Sequence, residues 1–140
     1  MEPVTAIGLA SAILSFVDFA QKVAIGADEL YNSAAGATED NTNIKIIIKD
    51  LDEAAADLTD LSGKTKHTQA LNSLAAKCRK LSEDLLRLLD KLAVSGKRST
   101  WKVMRVAIQN LRKEGKVAKM VARLADYRSQ ILLQLSLMLK

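Results

Sequence analysis

The chain has 140 residues, a formal net charge of +5 and 49% hydrophobic residues. That length suits one domain with a sizeable core, and the apolar content excludes a chain that stays disordered. The single cysteine, Cys78, excludes an internal disulfide and a cysteine-based zinc site, so we expect a reducing intracellular compartment. One proline and six glycines leave long stretches without helix breakers, which favours an all-helical fold.

The two halves of the chain carry opposite net charge. Residues 1–63 contain three Lys and eleven Asp or Glu, whereas residues 64–140 contain eighteen Lys or Arg and five Asp or Glu. Two interpretations are open. Either the halves attract each other within one bundle, or the basic half faces a polyanion such as an acidic membrane leaflet or a nucleic acid.

Residues 3–17 form an uncharged stretch, PVTAIGLASAILSFV, near the N-terminus. A helix that is apolar on nearly every side belongs in the centre of a core or in a membrane. As a helix, these fifteen residues span roughly 22 Å, which is shorter than the ~30 Å hydrocarbon core of a bilayer. Glu2 precedes the stretch, where a secretory signal peptide needs positive charge. We therefore interpret the stretch as a segment that is buried in one state and releasable in another.

The spacing of apolar residues predicts four to five helices. The first begins after Pro3 and runs to about Ala34, with a kink near Gly26. The second covers about 40–61 and the third about 66–94, each with apolar residues three and four positions apart, as in a heptad seam. The seam of the second helix consists of Ile44, Ile47, Leu51, Ala54, Leu58 and Leu61. The seam of the third helix consists of Leu71, Leu74, Cys78, Leu81, Leu85, Leu88 and Leu92.

A fourth helix is predicted over about 100–113 and a last one over about 116–140. The apolar face of the fourth helix is Trp101, Met104, Ile108 and Leu111. The buried side of the last helix is Val117, Val121, Leu124, Tyr127, Ile131, Leu135 and Met138. The pattern reaches Lys140 without a stop signal, so we expect these residues to be the N-terminal fragment of a longer protein.

Short connections make consecutive helices antiparallel neighbours. The sequence therefore predicts a single domain over 1–140: an all-α, up-down bundle of four to five helices, with the apolar N-terminal helix at its centre. Within it, the position of Cys78 on a seam indicates a buried core residue. A reactive thiol with a pKa lowered by Arg79 and Lys80 is the alternative if the side chain is exposed.

Catalytic patterns are missing from the sequence. His67 is the only histidine, and neither a phosphate-binding loop nor a nucleophile elbow is present. Asp50, Glu53, Asp57 and Asp60 share one helix face beside the seam, where we expect a solvated surface rather than an acid–base pair. We expect no enzyme, no catalytic residues, no metal and no cofactor.

A basic cluster is the strongest charged feature. Residues 97–123 contain nine Lys or Arg and one Glu, but Trp101 is the only aromatic residue there. Because neither a helix-turn-helix nor an aromatic stacking platform for single strands is evident, this composition favours anionic lipid over nucleic acid. The candidate lipid-binding residues are Lys97, Arg98, Lys102, Arg105, Arg112 and Lys113.

Three local features carry a resemblance to a known family. The opening has Pro3 followed by the run from Ile7 to Ile13, IGLASAI. The central stretch runs from Ile48-Lys49-Asp50-Leu51 into the leucine-rich third helix. The third feature comprises Trp101, Ala107, Leu124 and Arg128. These features resemble the HeLo-like helical N-terminal domains of fungal NOD-like receptors and related signalling ATPases, which are similar to the bundles of HET-S and of the mixed-lineage kinase-like executioner.

The resemblance implies a cytoplasmic immune-signalling domain that relocates to the plasma membrane and causes programmed cell death. On oligomerisation, the N-terminal helix would insert and permeabilise the membrane, and fusion to a nucleotide-binding oligomerisation module and a repeat sensor is implied. The inserting residues carried over are Val4, Ile7, Gly8, Leu9, Ile13, Leu14, Phe16 and Val17. The alternative is a non-lytic interaction module that relays assembly to a separate effector.

Overall fold

In a computed structural model of the protein, residues 3–27, 44–62, 69–94, 100–111 and 115–139 are described. They form an all-α bundle, which confirms the predicted fold class. The helices are α1 (Pro3–Ile25), α2 (Ile44–Ser62), α3 (Gln69–Val94), α4 (Trp101–Leu111) and α5 (Gly115–Met138).

The helix boundaries differ from the prediction mainly at the end of α1. This helix does not continue through a kink towards Ala34, because Gly26 adopts a left-handed φ of +66° that ends it. Residues 28–34, the predicted first turns of α2 and α3, and the last two predicted residues of α4 lie outside the described residues.

The heptad seams form the core, as predicted. On α2, Ile47, Leu51 and Leu58 are fully buried, while Ala54 is half-buried. On α3, every predicted seam residue is buried except Leu92, which is half-buried against the core. α4 buries Trp101, Met104 and Ile108, and α5 buries Val117, Met120, Leu124 and Ile131.

α1 is the central element of the bundle. It packs against each of the four other helices, most extensively against α5 and α2. A helix that contacts neighbours on several sides needs apolar side chains on several sides, which explains the uniform composition of Pro3–Ile25.

α1 and α5 run antiparallel. Gly26, just after α1, lies against Arg105 and Gln109 of α4, and α4 is followed within a few residues by the start of α5. Further along α5, Arg128 contacts Asp18 in the second half of α1. α5 therefore returns along α1, and its C-terminal end lies at the end of the bundle where α1 begins.

Candidate functional site

α1 buries four of the eight residues that the resemblance assigned to membrane insertion. Leu9, Ile13, Phe16 and Val17 are at most 1% exposed. Ile7, Gly8 and Leu14 are half-buried, and the side chain of Val4 lies outside the described part of the chain. The inserting set is therefore largely the same set of residues that stabilises the resting bundle.

One narrow face of α1 reaches solvent, and the sequence reasoning missed it. Ser11, Ser15 and Lys22 are exposed on this face, with Ala12 and Phe19 half-buried beside them. The signal was present, since Ser11 and Ser15 are four residues apart and Lys22 follows seven residues later. The small polar side chains of this face interrupt the apolar surface of α1 only slightly.

The apolar part of α1 is also longer than the uncharged stretch alone. Ala6–Ile25, 20 residues with a mean hydropathy of 1.4, is long and apolar enough to cross a membrane. A helix of that length spans roughly 30 Å, which equals the thickness of the hydrocarbon core. The conclusion that the helix is too short, drawn from residues 3–17 alone, therefore does not hold for the longer segment. The buried core helix of a soluble protein meets the same criteria of length and hydropathy, and 44% of this segment is buried inside the bundle.

The C-terminal end of α1 is fixed by α4. The Gly26 amide donates to the Val23 carbonyl (3.1 Å) and the Ala27 amide donates to the Lys22 carbonyl (2.9 Å), which is a Schellman motif. The two carbonyls that follow the helix accept side-chain hydrogen bonds from α4. Gln109 Nε2 donates to the Gly26 carbonyl and Trp101 Nε1 donates to the Ala27 carbonyl, both at 2.9 Å.

An ion pair connects α1 to α5. Arg128 Nε donates to Asp18 Oδ1 at 3.0 Å, and both side chains are 46% exposed. This contact joins the acidic and basic halves of the chain, as the intramolecular interpretation of the charge asymmetry predicts. An exposed pair of this kind contributes only about 0.2–1 kcal/mol, so it positions α1 without holding it strongly.

The structure describes only part of the predicted basic cluster. Lys102 is exposed on α4 and Arg105 is half-buried beside Gly26. The predicted lipid-binding residues that lie outside the described ranges are Lys97, Arg98, Arg112 and Lys113. Three further cations of the same sequence region are exposed on α5: Lys116, Lys119 and Arg123.

The structure also describes most of the remaining candidate side chains. Cys78 is fully buried, and burial raises the pKa of its thiol to about 12, so the reactive-thiol alternative is wrong. Glu53, Asp57 and Asp60 are exposed, as predicted, and Asp50 is half-buried. Among the described residues, no group of three or more His, Cys, Asp or Glu is arranged to hold a metal ion. His67 lies outside these residues.

Comparison with known families identifies the chain. Residues 10–131 match the family SesA, described as an N-terminal domain on NACHT_NTPase and P-loop NTPases. No curated protein and no solved structure is significantly similar to the chain. The match agrees with the expected link to a nucleotide-binding module and with the predicted relation to N-terminal domains of NOD-like receptors. The chain thus belongs to the SesA family of N-terminal domains, the signalling modules of NACHT and P-loop NTPases.

Proposed function

We propose that this SesA domain acts as a HeLo-like membrane effector in programmed cell death or innate immunity. On induced oligomerisation, the cytoplasmic domain relocates to the plasma membrane, and α1 leaves the bundle and permeabilises the bilayer. The observation that carries the proposal is α1 itself, a central helix whose Ala6–Ile25 segment is long and apolar enough to span a membrane. Under this proposal the domain works by binding and assembly, without catalysis, a cofactor or nucleic acid.

Whether α1 is released depends on two competing environments for its apolar side chains, the bundle and the membrane. In the bundle, Leu9, Ile13 and Phe16 gain their burial from neighbouring helices. In an oligomer on a bilayer, lipid and neighbouring copies offer comparable apolar surroundings, so a modest bias shifts the population. Among the described residues, the Asp18–Arg128 ion pair between α1 and α5 is half exposed, so it adds little to the cost of separating the two helices, which is set by their apolar packing.

Exposed cations on α4 and α5 support the proposed binding to an acidic membrane. Lys102, Lys116, Lys119 and Arg123 are exposed cations on consecutive helices. Each well-placed cation near an acidic leaflet contributes about 1 kcal/mol of attraction, and that attraction weakens as salt rises. Binding of the domain to phosphatidylserine vesicles should therefore fade at high ionic strength.

The proposal is tested by a charge placed on α1 where the bundle tolerates it. Leu9 is a poor site, since it is fully buried and a charge there unfolds the domain. Ser11 is exposed, so Ser11→Glu should leave the bundle intact, but it adds a second carboxylate to a span that already contains Asp18, at a further cost of up to about 2.5–3.5 kcal/mol, the value for a charge at the bilayer centre. Ser73→Glu adds the same charge at an exposed position on α3 and serves as the matched control.

Each variant is fused to an inducible oligomerisation tag and mixed with dye-loaded phosphatidylserine vesicles. We expect leakage on induction from the native chain and from Ser73→Glu, and little leakage from Ser11→Glu at equal vesicle binding. Circular dichroism and urea unfolding check that both variants are folded. If the native chain clusters on vesicles without leakage or cell killing, the domain is a non-lytic docking module.

A further inference from the structure

α1 and α2 enclose an open groove of about 500 Å³ with a mostly apolar floor. Ala12, Phe16 and Phe19 contribute the α1 side, and Ala54 contributes the α2 side. Two carboxylates, Asp50 and Asp57, stand along the α2 edge. The groove belongs to the half of the chain that carries eleven acidic residues and three lysines.

The outward face of α4 is also apolar, but it carries a positive charge where the groove carries negative charge. Val103 and Val106 are 46% and 49% exposed, which is unusual for valines, and they lie three residues apart on one face of the helix. Lys102 and Asn110 are exposed at either end of this face. The other side of α4 is committed to the core through Trp101, Met104 and Ile108.

We propose that the α4 face of one copy docks into the α1–α2 groove of a second copy. The valines would cover the apolar floor, and Lys102 would lie beside the carboxylates of the groove edge. This inference deepens the proposed function and rests on it for the step of self-association. The occupant is a second copy because one chain carries both an apolar groove edged by carboxylates and an exposed apolar face that carries Lys102, so the two surfaces are complementary in charge.

The contact joins two different surfaces, so it is heterologous. Each copy that docks leaves its own groove open to a further copy, and assembly proceeds to a ring or an open chain rather than stopping at a two-fold dimer. α4 has 11 residues and is roughly 16 Å long, so the buried area is below that of a stable standard interface. Assembly would then require a module that concentrates the domains, such as the NTPase to which the family is joined.

The docked copy would rest directly on α1. Ala12, Ser15 and Phe19 lie on the outward side of the helix that the proposed function sets free. Docking in the groove therefore requires α1 to lie in the bundle, so this contact belongs to the assembly step that precedes the release of α1, and release of α1 opens the contact.

The test is site-specific cross-linking in solution without lipid. One copy carries Ser15→Cys in the groove, the other carries Asn110→Cys on the α4 face, and an inducible heterodimeriser brings the two full chains together. The native Cys78 is fully buried and does not compete for a maleimide reagent at neutral pH. Ala76→Cys, exposed on α3, replaces either partner as the matched control.

We expect a cross-link between the Ser15→Cys and Asn110→Cys copies, and little with Ala76→Cys in place of either one. Asp57→Lys or Lys102→Glu alone should reduce the yield roughly fivefold, as for loss of an exposed ion pair, and the two changes on opposite copies should restore it. Equal yields with the control, or cross-linking only between two grooves or two α4 faces, would overturn the head-to-tail contact. Because no lipid is present, the outcome is independent of whether the domain permeabilises membranes.

Discussion

Gly26 and Gly8 show how one residue type serves different purposes in and after α1. Gly26 has a φ of +66°, and a Cβ there would lie 3.0 Å from both the Arg105 carbonyl oxygen and Gln109 Cγ. Gly8 is within the helix, and a Cβ there would meet nothing within 4 Å. The first glycine is required by the backbone and by the approach of α4, whereas the second only adds chain entropy.

We predict opposite effects of alanine at these two positions. Gly26→Ala should lower the free energy of unfolding by roughly 1–3 kcal/mol, because it adds left-handed strain and a close contact with α4. Gly8→Ala should raise it by roughly 0.5–1 kcal/mol, since alanine favours the helix. Urea unfolding of both variants checks the prediction. Equal changes at the two sites would mean that α4 does not pack on the end of α1.

At the scale of the element, α1 has one deeply buried side and one intermediate side. Leu9 is fully buried, whereas Leu14 is half-buried against the core. Leu9→Ala should therefore cost about 2–5 kcal/mol, as deletion of a core leucine does. Leu14→Ala should cost less, roughly 1–2 kcal/mol, because part of its surface already contacts water. Chemical denaturation of the pair measures the difference, and a larger loss at Leu14 would reverse the assigned orientation of α1.

Local spacing predicted the elements well and their mutual contacts poorly. The three- and four-residue seams of α2 and α3 determine which side chains are buried, because each seam follows from one helix alone. On α5 the apolar stripe is wide, so Met120 is buried and the predicted Val121 is only half-buried. Asp18 and Arg128 are 110 positions apart in the sequence, and their contact depends on how α1 and α5 are aligned. No local pattern specifies that alignment.

The end of α1 shows the same limit. The sequence prediction treats Gly26 as a kink and Gly36 as the stop signal, and it therefore extends the first helix to about Ala34. The hydrogen bonds from Trp101 and Gln109 that hold the two carbonyls after α1 come from residues more than 70 positions away. Gly26 ends the helix through its local Schellman motif, and the tertiary hydrogen bonds from α4 hold the two residues that follow the helix, which no local pattern specifies.

At the scale of the whole molecule, the raised pKa values of the Cys78 thiol and the Tyr127 hydroxyl predict that the free energy of unfolding decreases at alkaline pH. Burial raises the pKa of Cys78 from 9.0 to about 12, and burial also raises the pKa of Tyr127, partly offset by Arg123. The unfolded chain therefore loses these protons at lower pH than the folded bundle does. Stability is fully present below about pH 9 and falls between about pH 9 and pH 12.

Cys78→Ala should make that decline shallower. The thiol alone accounts for a loss on the order of 4 kcal/mol across this window, whereas alanine has no proton to lose. Urea unfolding of both proteins under reducing conditions from pH 6 to pH 11 measures the effect. Between pH 6 and pH 8 the two curves should run parallel, and parallel curves above pH 9 as well would contradict burial of the thiol.

The hydrogen bonds from α4 reach α1 at one end, so the two ends of α1 are held in different ways. In the described part of the chain, side-chain hydrogen bonds from α4 hold the end at Gly26 and Ala27, and the ion pair lies at Asp18 in the second half of the helix. The opposite end has half-buried Ile7 and Gly8 and begins the helix. Since apolar packing alone holds that end among the described residues, we expect α1 to detach from its first turns before the turns near Gly26, where the hydrogen bonds from α4 must also break.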